Sequence, residues 1–243
     1  MIRPFRQELK FVIHHSVKTN LIQRWSRYLT KAPFTNRYAV SPVLSQYYDS
    51  PTLQFYQEKL DGIPVRNKIR LRTYGYTYRA GATAFLEIKQ RVNQSIRKIR
   101  QRIPGFHEGH LDPATWAFDD RAHRDAFQVL MERYRLKRSA QVFYLREAYQ
   151  GLVESDVRIT FDTSLLGLYP GERFTPELMR DRSRCLMPDT LVILEAKSTR
   201  GFPGWVQEGV LAAELQQKTV PKYITAVEVL GLPELTASGD YAR

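Results

Sequence analysis

The sequence has little cysteine, no long apolar run and a shortage of acidic residues, and these shortages limit the kinds of structure and partner that it can have. Its 243 residues include one cysteine, Cys185, so no disulfide can form within the chain. No segment approaches the roughly 18 consecutive apolar residues of a membrane-spanning helix, and the first residues lack the pattern of a signal peptide. We therefore expect a cytoplasmic protein. No GxxxxGK[ST] phosphate-binding loop is present, so a nucleotide would need another kind of site.

Basic residues far outnumber acidic ones. The chain has 37 Lys and Arg against 25 Asp and Glu, which gives a formal net charge of +12. This excess favours a polyanionic partner such as nucleic acid, a phosphorylated metabolite, polyphosphate or an acidic membrane surface. Proteins that bind single-stranded nucleic acid interleave basic residues with stacking aromatic ones. The basic segments here lack that pattern, and we expect no specific nucleic-acid partner.

The basic residues recur at every second position within segments that otherwise read as β-strands. The stretch VRNKIRLRTY, residues 65–74, places four cations on one face of a strand. They are Arg66, Lys68, Arg70 and Arg72. Four further segments repeat the spacing, and three of them include a carboxylate: Arg6, Glu8 and Lys10; Glu87, Lys89 and Arg91; Lys98, Arg100 and Arg102; Glu195 and Lys197.

Neighbouring cations on one strand face repel each other. Such neighbours lie roughly 6.6 Å apart, which costs about 0.6 kcal/mol per pair in water and about 2.5 kcal/mol at an effective dielectric constant near 20. The face must therefore be bathed in water or neutralised by anions. Both interpretations stay open from the pattern alone. The interspersed carboxylates fit either a divalent metal that bridges phosphate oxygens or plain cross-strand ion pairs.

The alternation predicts an α+β fold dominated by β structure. Strands are predicted near 5–13, 43–49, 64–74, 83–92, 95–103, 141–150, 156–162 and 190–197, with a last one near 224–230. Helices are predicted over 16–30, 119–136 and 205–218, and over a segment with Ser50 as N-cap, Pro51 at the first helical position and Gly62 as the stop. We expect an eight-stranded antiparallel closed barrel with a polar interior and helices packed outside.

No break in composition divides the chain, so residues 1–243 are predicted to form a single domain with a core at about 3–230. Segment 163–189 contains Pro170, Gly171, Pro176 and Pro188, and is predicted to be an irregular insertion. Residues 232–243 are predicted to be a flexible tail.

The motifs together resemble a known family. RQELKF, SQYYDSPTLQFYQEKLDG followed by KIRLRTY, FLEIKQR, YLREAY, VRITFD, LVILEAK and PKY stand in the order and approximate spacing of the VTC domain, the polyphosphate polymerase module of the vacuolar transporter chaperone family. Any one motif is weak, but all of them in order over residues 3–230 are specific. The resemblance implies membership of the triphosphate tunnel metalloenzymes, which are related to the CYTH proteins. Their tunnel of eight antiparallel strands is lined by basic residues and a few carboxylates.

The resemblance also implies roles for particular residues. Glu195 resembles the metal-binding glutamate, with Glu8 and Glu87 as further candidates, and the expected ion is Mn²⁺ or Mg²⁺. The implied catalytic residues are Arg70, Arg72, Lys89, Arg146, Arg158 and Glu195. The implied phosphate-binding residues are Lys10, Arg66, Lys68, Arg70, Arg72, Lys89, Lys98, Arg100, Tyr144, Arg146, Arg158, Lys197 and Lys222.

The chain departs from the family pattern in one place and from the related CYTH pattern in another. Pro221 stands where the VTC family commonly has a serine before the C-terminal lysine, so one hydroxyl contact is missing beside Lys222. The CYTH signature has two glutamates in the first strand where this chain has Arg6 and Glu8, which favours the VTC branch.

The activity implied by the resemblance is transfer of the γ-phosphate of ATP to a growing polyphosphate chain. ATP and inorganic polyphosphate or triphosphate are then the small-molecule partners, and eukaryotic family members add a membrane-protein partner. Two alternatives use the same fold: a tunnel triphosphatase or other phosphohydrolase, and a non-catalytic domain that binds polyphosphate. The oligomeric state is left open by the sequence.

Overall fold

The computed structural model describes residues 7–32, 40–93, 95–218 and 220–238. The predicted α+β fold dominated by antiparallel strands is confirmed. The strands are β1 (Gln7–His14), β2 (Leu29–Lys31), β3 (Val40–Asp49), β4 (Val65–Tyr74), β5 (Ala84–Val92), β6 (Ser95–Ile103), β7 (Lys137–Gly151), β8 (Arg158–Leu168) and β9 (Leu191–Ser198). The helices are α1 (His15–Trp25), α2 (Gln54–Leu60), α3 (Arg121–Tyr134), α4 (Gly204–Ala212), α5 (Lys222–Val229) and α6 (Leu232–Ser238).

Hydrogen bonds order the strands β1-β9-β8-β7-β3-β4-β5-β6, and the short β2 pairs with β7. The sheet thus has nine strands where eight are predicted. Among the described residues no strand pairing joins β1 to β6, the two ends of this path, so closure into a barrel is not confirmed. The outer edge of β1 pairs instead with an irregular segment, where Phe11 bridges to Gln217 and the Lys218 amide donates to the Lys10 carbonyl at 3.0 Å.

The chain divides into two compact units, each built from three segments. Unit 1 comprises residues 1–42, 144–165 and 187–220, and unit 2 comprises residues 43–143, 166–186 and 221–243. Each unit contains a set of strands with one apolar and one polar face.

In unit 1, the apolar face of β1, β9 and β8 packs against α1 and α4. The core includes Phe11 and Leu194, which are directly opposite each other on β1 and β9. The two helices meet where the Trp25 indole donates to the Trp205 carbonyl at 2.9 Å. Gly209 on α4 makes this approach feasible, because a Cβ atom there would lie 2.4 Å from the Trp25 ring. Alternation along the strands leaves the other face to polar side chains.

In unit 2, the apolar face of β4, β5 and β6 packs against α3. Ile69, Ile88 and Ile99 stand in one register row on the three strands and are buried. Phe127 and Leu130 of α3 belong to the same core. The helix covers this face, and all cations of these three strands except Arg97 lie on the opposite one.

The predicted strand near 224–230 is wrong, because this segment forms helix α5. Its β-branched residues favour a strand, but Tyr223, Ile224 and Val227 also fit a helical repeat and are all buried in α5. The helical period prevails over local propensity here.

Three helix boundaries also differ from prediction. Helix α1 ends at Trp25, and the strand β2 follows within the segment predicted as helix. Helix α4 ends at Ala212, well before residue 218. Helix α2 begins at Gln54, because Leu53 before it adopts a left-handed conformation with φ 56°. Gly62, with φ 67°, ends the turn after α2 as predicted.

Parts of the predicted insertion and tail are ordered. β8 continues through Leu168, and short 3₁₀ turns occupy Pro176–Arg180 and Arg182–Arg184. Helix α6 begins the segment predicted as a flexible tail, and residues 239–243 lie outside the described residues.

Candidate functional site

The polar face of unit 2 is a dense array of cations in strand register. On β4 and β5, Arg66 lies opposite Arg91, and Lys68 lies opposite Lys89. Together β4, β5 and β6 place nine cations on this face: Arg66, Lys68, Arg70, Arg72, Lys89, Arg91, Lys98, Arg100 and Arg102. Glu87 is the single acidic residue of these three strands. The face therefore carries a large positive excess.

Glu87 is the hub of the ion pairs on this face. Its Oε2 atom accepts from Arg70 Nε at 2.7 Å and from Arg70 Nη2 at 2.6 Å, and lies 3.5 Å from Arg72 Nη2. Its Oε1 atom lies 3.4 Å from Arg100 Nε and 3.9 Å from Lys98 Nζ. Burial would raise the pKa of Glu87, but the surrounding cations, led by Arg70 and Arg72, lower it to about 2. This carboxylate is thus firmly ionised and fixes the planes of the guanidinium groups around it.

The register row beside that of Arg70 and Glu87 contains two buried polar atoms that have no hydrogen-bond partner among the described residues. They are the Nε atom of Arg72 and the Oγ atom of Ser45, on directly opposite positions of β4 and β3. Arg72 is 7% exposed and Ser45 is fully buried. Leaving a buried donor unpaired costs about 1–3 kcal/mol. An oxygen acceptor that reached the Arg72 Nε–H would satisfy this donor.

Tyr47 brings a phenol into the same face from β3. Its hydroxyl accepts from Arg70 Nη1 at 3.1 Å, and Lys68 Nζ lies 5.0 Å from its ring centroid. Burial would raise the pKa of Tyr47, but Lys68, Arg70 and Arg72 together lower it to about 7. The pKa of Lys68 falls to about 8, because burial and the neighbouring cations outweigh the attraction of Tyr47. The positive charge of this face thus helps to lower the pKa of both Tyr47 and Lys68.

A hydrogen-bond network connects this face to helix α5, which begins at Lys222. Tyr223 donates to Asp49 Oδ2 at 2.6 Å, and its ring centroid lies 5.0 Å from that of Tyr47. Asp49 also accepts from the Phe55 amide of α2 at 2.8 Å. Burial raises the pKa of Asp49 to about 6, even though these hydrogen bonds act to lower it. Lys222 is near enough to this face to help lower the pKa of Lys68.

The polar face of unit 1 has a different balance of charge. Lys10, Glu195 and Thr160 form one row across β1, β9 and β8, and the next row is Glu8, Lys197 and Arg158. Lys197 lies 2.7 Å from Glu195 and 3.7 Å from Glu8, while Lys10 lies 3.3 Å from Glu195 and 2.7 Å from Glu8. Acids and cations are almost matched here, in contrast to unit 2.

Glu195 is strongly held in its ionised form. Burial would raise its pKa, but a hydrogen bond with Glu8 and the charges of Lys197, Lys10 and Arg146 lower it well below its usual range. The Oγ1 atom of Thr160, directly opposite Glu195, is buried and has no hydrogen-bond partner among the described residues.

Arg146 is engaged by a carboxylate that the sequence did not single out. Its Nε and Nη2 atoms donate to Asp162 at 2.6 and 2.7 Å, and Nη2 lies 3.8 Å from Glu195. The guanidinium carbon of Arg146 lies over the Tyr144 ring, 5.2 Å from the centroid of that ring. Burial opposes the charge, but Asp162 and the other anionic groups raise the pKa of Arg146 far above its usual value. The bidentate pair fixes the orientation of this arginine.

Comparison with known proteins identifies the family. The family model of the VTC domain matches residues 5–231. The chain belongs to the VTC domain family. The VTC domain shares its fold with the crystal structure of a putative adenylate cyclase from Bacillus halodurans, with a TM-score of 0.53 and 13% identity over 88% of this chain and 94% of the other.

Other comparisons with this VTC domain are weaker. A protein from Pyrococcus horikoshii OT3 gives a TM-score of 0.45 with 14% identity, covering 93% of this chain and 99% of that one. No curated protein sequence matches. Among the described residues, the VTC domain has no helix with the length and apolar character needed to cross a membrane.

The structure groups the predicted site residues into two sets. Unit 2 contains Arg66, Lys68, Arg70, Arg72, Glu87, Lys89, Lys98, Arg100 and Lys222, and unit 1 contains Glu8, Lys10, Tyr144, Arg146, Arg158, Glu195 and Lys197. Their roles in this VTC domain stay predictions. Sequence reasoning missed Ser45, Tyr47 and Asp49, although their spacing of two along β3 repeats the alternation seen on β4. It also missed Asp162, four residues after Arg158 on the same face of β8.

The carboxylates differ in their suitability for a metal ion. Four cations surround Glu87, so its contacts favour ion pairing over metal ligation. Glu195 also contacts cations, but a second carboxylate, Glu8, shares two lysines with it and the hydroxyl of Thr160 lies opposite, so this set of oxygen donors fits a hard cation better. No cluster of three or more potential ligands from His, Cys, Asp and Glu occurs among the described residues. Further ligands would have to come from water or phosphate.

Proposed function

We propose that this VTC domain is a metal-dependent polyphosphate polymerase, which transfers the γ-phosphate of ATP to a growing polyphosphate chain and releases ADP. The observation that carries the proposal is the cationic face of unit 2, where nine cations stand in register with one carboxylate. Polyphosphate carries a negative charge on each unit of its length, so it can neutralise a row of cations that a single small anion cannot. ATP and polyphosphate are thus the proposed substrates.

The residues on this face suit phosphoryl transfer. Such reactions pass through a loose transition state and depend mainly on positioning and charge neutralisation. Arg70, whose orientation is fixed by Glu87, contributes positive charge beside the phosphate oxygens, and Arg72 offers its unpaired Nε hydrogen. A terminal oxygen of the chain attacks the γ-phosphorus, a new P–O bond forms, and the bond to the bridging oxygen breaks. ADP leaves with that electron pair.

The proposed metal site is on unit 1. Glu195 and Glu8 would hold Mn²⁺ or Mg²⁺, which would supply positive charge that neutralises phosphate oxygens. Lys10 and Lys197, now paired with these carboxylates, would then be available to bind phosphate. A membrane-protein partner is proposed from the family resemblance alone.

A second candidate is a non-catalytic domain that binds polyphosphate. The observation in its favour is that Glu195 already contacts three cations, Lys10, Lys197 and Arg146, which leaves its carboxylate neutralised without a metal. In that case unit 1 would use Glu195 to orient its cations.

Incubation with ATP and Mn²⁺, followed by separate assays of polymer, orthophosphate and ADP, tests the proposal. Polymer and ADP should form together, and Glu195→Gln should reduce turnover by two or more orders of magnitude, as expected for loss of a main electrostatic stabiliser. Glu208→Gln, at an exposed position of α4, is the matched control. Orthophosphate without polymer would indicate a triphosphatase. Tight triphosphate binding without turnover would indicate a binding domain.

A further inference from the structure

Unit 2 contains a cavity that the phosphate chemistry does not use. Its volume is about 340 Å³, within the range of small-molecule sites. The residues that line it are Leu44, Gln46, Thr77, Tyr78, Glu108, Leu111, Arg138, Gln141, Gly171, Glu172, Arg173 and Phe174. None of the nine cations of the polar face is among them.

Two fully buried glutamines give the cavity its chemistry. Gln46 Nε2 donates to the Tyr47 carbonyl at 2.9 Å, and Gln141 Nε2 donates to the carbonyls of Tyr169 and Glu172 at 2.7 and 2.9 Å. These bonds fix the orientation of both amides, since only the nitrogen can donate to a carbonyl. The Oε1 atoms of Gln46 and Gln141 are then left as buried acceptors without a partner among the described residues. An N–H or O–H donor that reached these oxygens would satisfy them.

The charges around the cavity point to a neutral ligand. Arg138 and Arg173 are matched in number by Glu108 and Glu172. Arg173 lies 3.4 Å from Glu108, and Glu172 accepts from the Tyr169 amide at 2.8 Å. The cavity therefore lacks the positive excess that attracts phosphate to the polar face.

The apolar part of the cavity favours a flat ligand. Leu44, Leu111 and Phe174 are buried and line it. Phe174 is held in place by stacking on Phe143, with ring centroids 4.1 Å apart. A planar heterocycle can pack against these groups while its edge donates hydrogen bonds to the glutamines.

We infer that this cavity binds a nucleobase or nucleoside that carries an exocyclic amine, held by the amide oxygens of Gln46 and Gln141. The inference does not depend on the proposed polymerase activity. An amine hydrogen is a donor to an amide oxygen, whereas the carbonyl that replaces the amine of adenosine in inosine, or that of cytidine in uridine, would place an acceptor against an acceptor. Inosine also lacks the 2-amine of guanosine and so offers no donor there. A site built to receive such a donor rejects analogues that lack it.

Calorimetric titration with nucleosides tests this inference, because they carry no phosphate. Adenosine, cytidine and guanosine are compared with inosine and uridine in the presence of saturating tripolyphosphate, which occupies the cationic face. At least one amine-bearing nucleoside should bind saturably, ten or more times tighter than its analogue without the amine. Thr77→Trp, which places a bulky ring at an exposed lining position, should weaken binding at least tenfold, whereas Leu152→Trp at an exposed position outside the cavity should not.

Absence of binding by every amine-bearing nucleoside would overturn the inference, as would equal affinity for the paired analogues or undiminished binding to a folded Thr77→Trp variant. Gln46→Met provides a second check, because it keeps the side-chain volume and removes the acceptor. None of these failures would affect the proposed phosphate chemistry, since the probes lack phosphate.

Discussion

Arg70 and Glu87 stand directly opposite each other on β4 and β5, and their side chains meet through two contacts of 2.6 and 2.7 Å. The same carboxylate also contacts Arg72, Lys98 and Arg100. One buried anion on β5 thus organises cations from the two strands beside it, β4 and β6. Because it cannot neutralise nine of them, the face keeps its attraction for a polyanion while its geometry is fixed.

Glu87→Gln should destabilise the protein and make it more dependent on phosphate. Removing one partner of a buried ion pair costs about 3 kcal/mol or more, and here Arg70 and Arg72 would stay largely buried without the charge of Glu87. Urea unfolding with and without tripolyphosphate measures both effects. Tripolyphosphate should raise the unfolding free energy of the variant more than that of the wild type.

Glu132→Gln, at an exposed position of α3, is the control for the change of charge alone. Equal stabilisation of Glu87→Gln and wild type by tripolyphosphate would show that Glu87 and the anion do not act on the same cations.

Arg72→Gln should weaken tripolyphosphate binding more than Arg102→Gln. Both arginines occupy the same register row, but Arg72 is buried with an unpaired Nε atom, whereas Arg102 is exposed. Loss of a charge-assisted hydrogen bond costs about 1.5–3 kcal/mol, or a roughly 10- to 100-fold weaker Kd. Titration calorimetry at constant ionic strength compares the two variants. Similar losses for both would mean that only overall charge determines binding.

Tyr47 should titrate far below the other tyrosines. Its pKa of about 7 reflects the nearby cations, which outweigh the effect of burial. Ultraviolet absorbance of tyrosinate should therefore show one step near neutral pH among the 14 tyrosines, and Tyr47→Phe should remove it. Bound tripolyphosphate adds negative charge and should move the step to higher pH. A step that does not respond to tripolyphosphate would place the anion away from this face.

Asp49→Asn should change the dependence of stability on pH. The pKa of Asp49 is raised from 3.8 to about 6, mainly by burial. The folded protein then holds a proton between these values that the unfolded chain has released, so the contribution of Asp49 is complete below pH 3.8 and is lost as pH rises through 6. The wild type should lose roughly 3 kcal/mol of unfolding free energy over this window relative to Asp49→Asn. Asp61→Asn, at an exposed position, should leave the pH profile of the wild type unchanged.

Sequence alternation predicted the sheet well, because one face of each strand is apolar and the other carries charge. β4, β5 and β6 appear within a residue of their predicted bounds, and the cations of residues 66–72 share one face. The strand β2 was missed because its three residues pair only through contact with Tyr149–Gly151 of β7, which is distant in sequence. The boundaries of α1 and α4 likewise depend on tertiary contacts that leave no local signal.

The candidate site was predictable in its cations and less so in their partners. Alternation identifies Arg70 and Glu87 as members of charged faces, but not that they are opposite each other, which depends on register. Nothing in the local sequence marks Tyr47 or Asp162 as a site residue, because only the fold reveals their arginine partners. The alternation of Ser45, Tyr47 and Asp49 on β3 was the available signal.

The fate of a labelled γ-phosphate tests the central claim most directly. Protein is incubated with Mn²⁺, ATP labelled at the γ-phosphorus and a short unlabelled polyphosphate, and the products are separated by size. If this VTC domain is a polymerase, the label should appear at the end of lengthened chains in a one-to-one ratio with ADP. Label recovered only as orthophosphate in that ratio, or label that stays in ATP although polyphosphate is bound, would contradict the account.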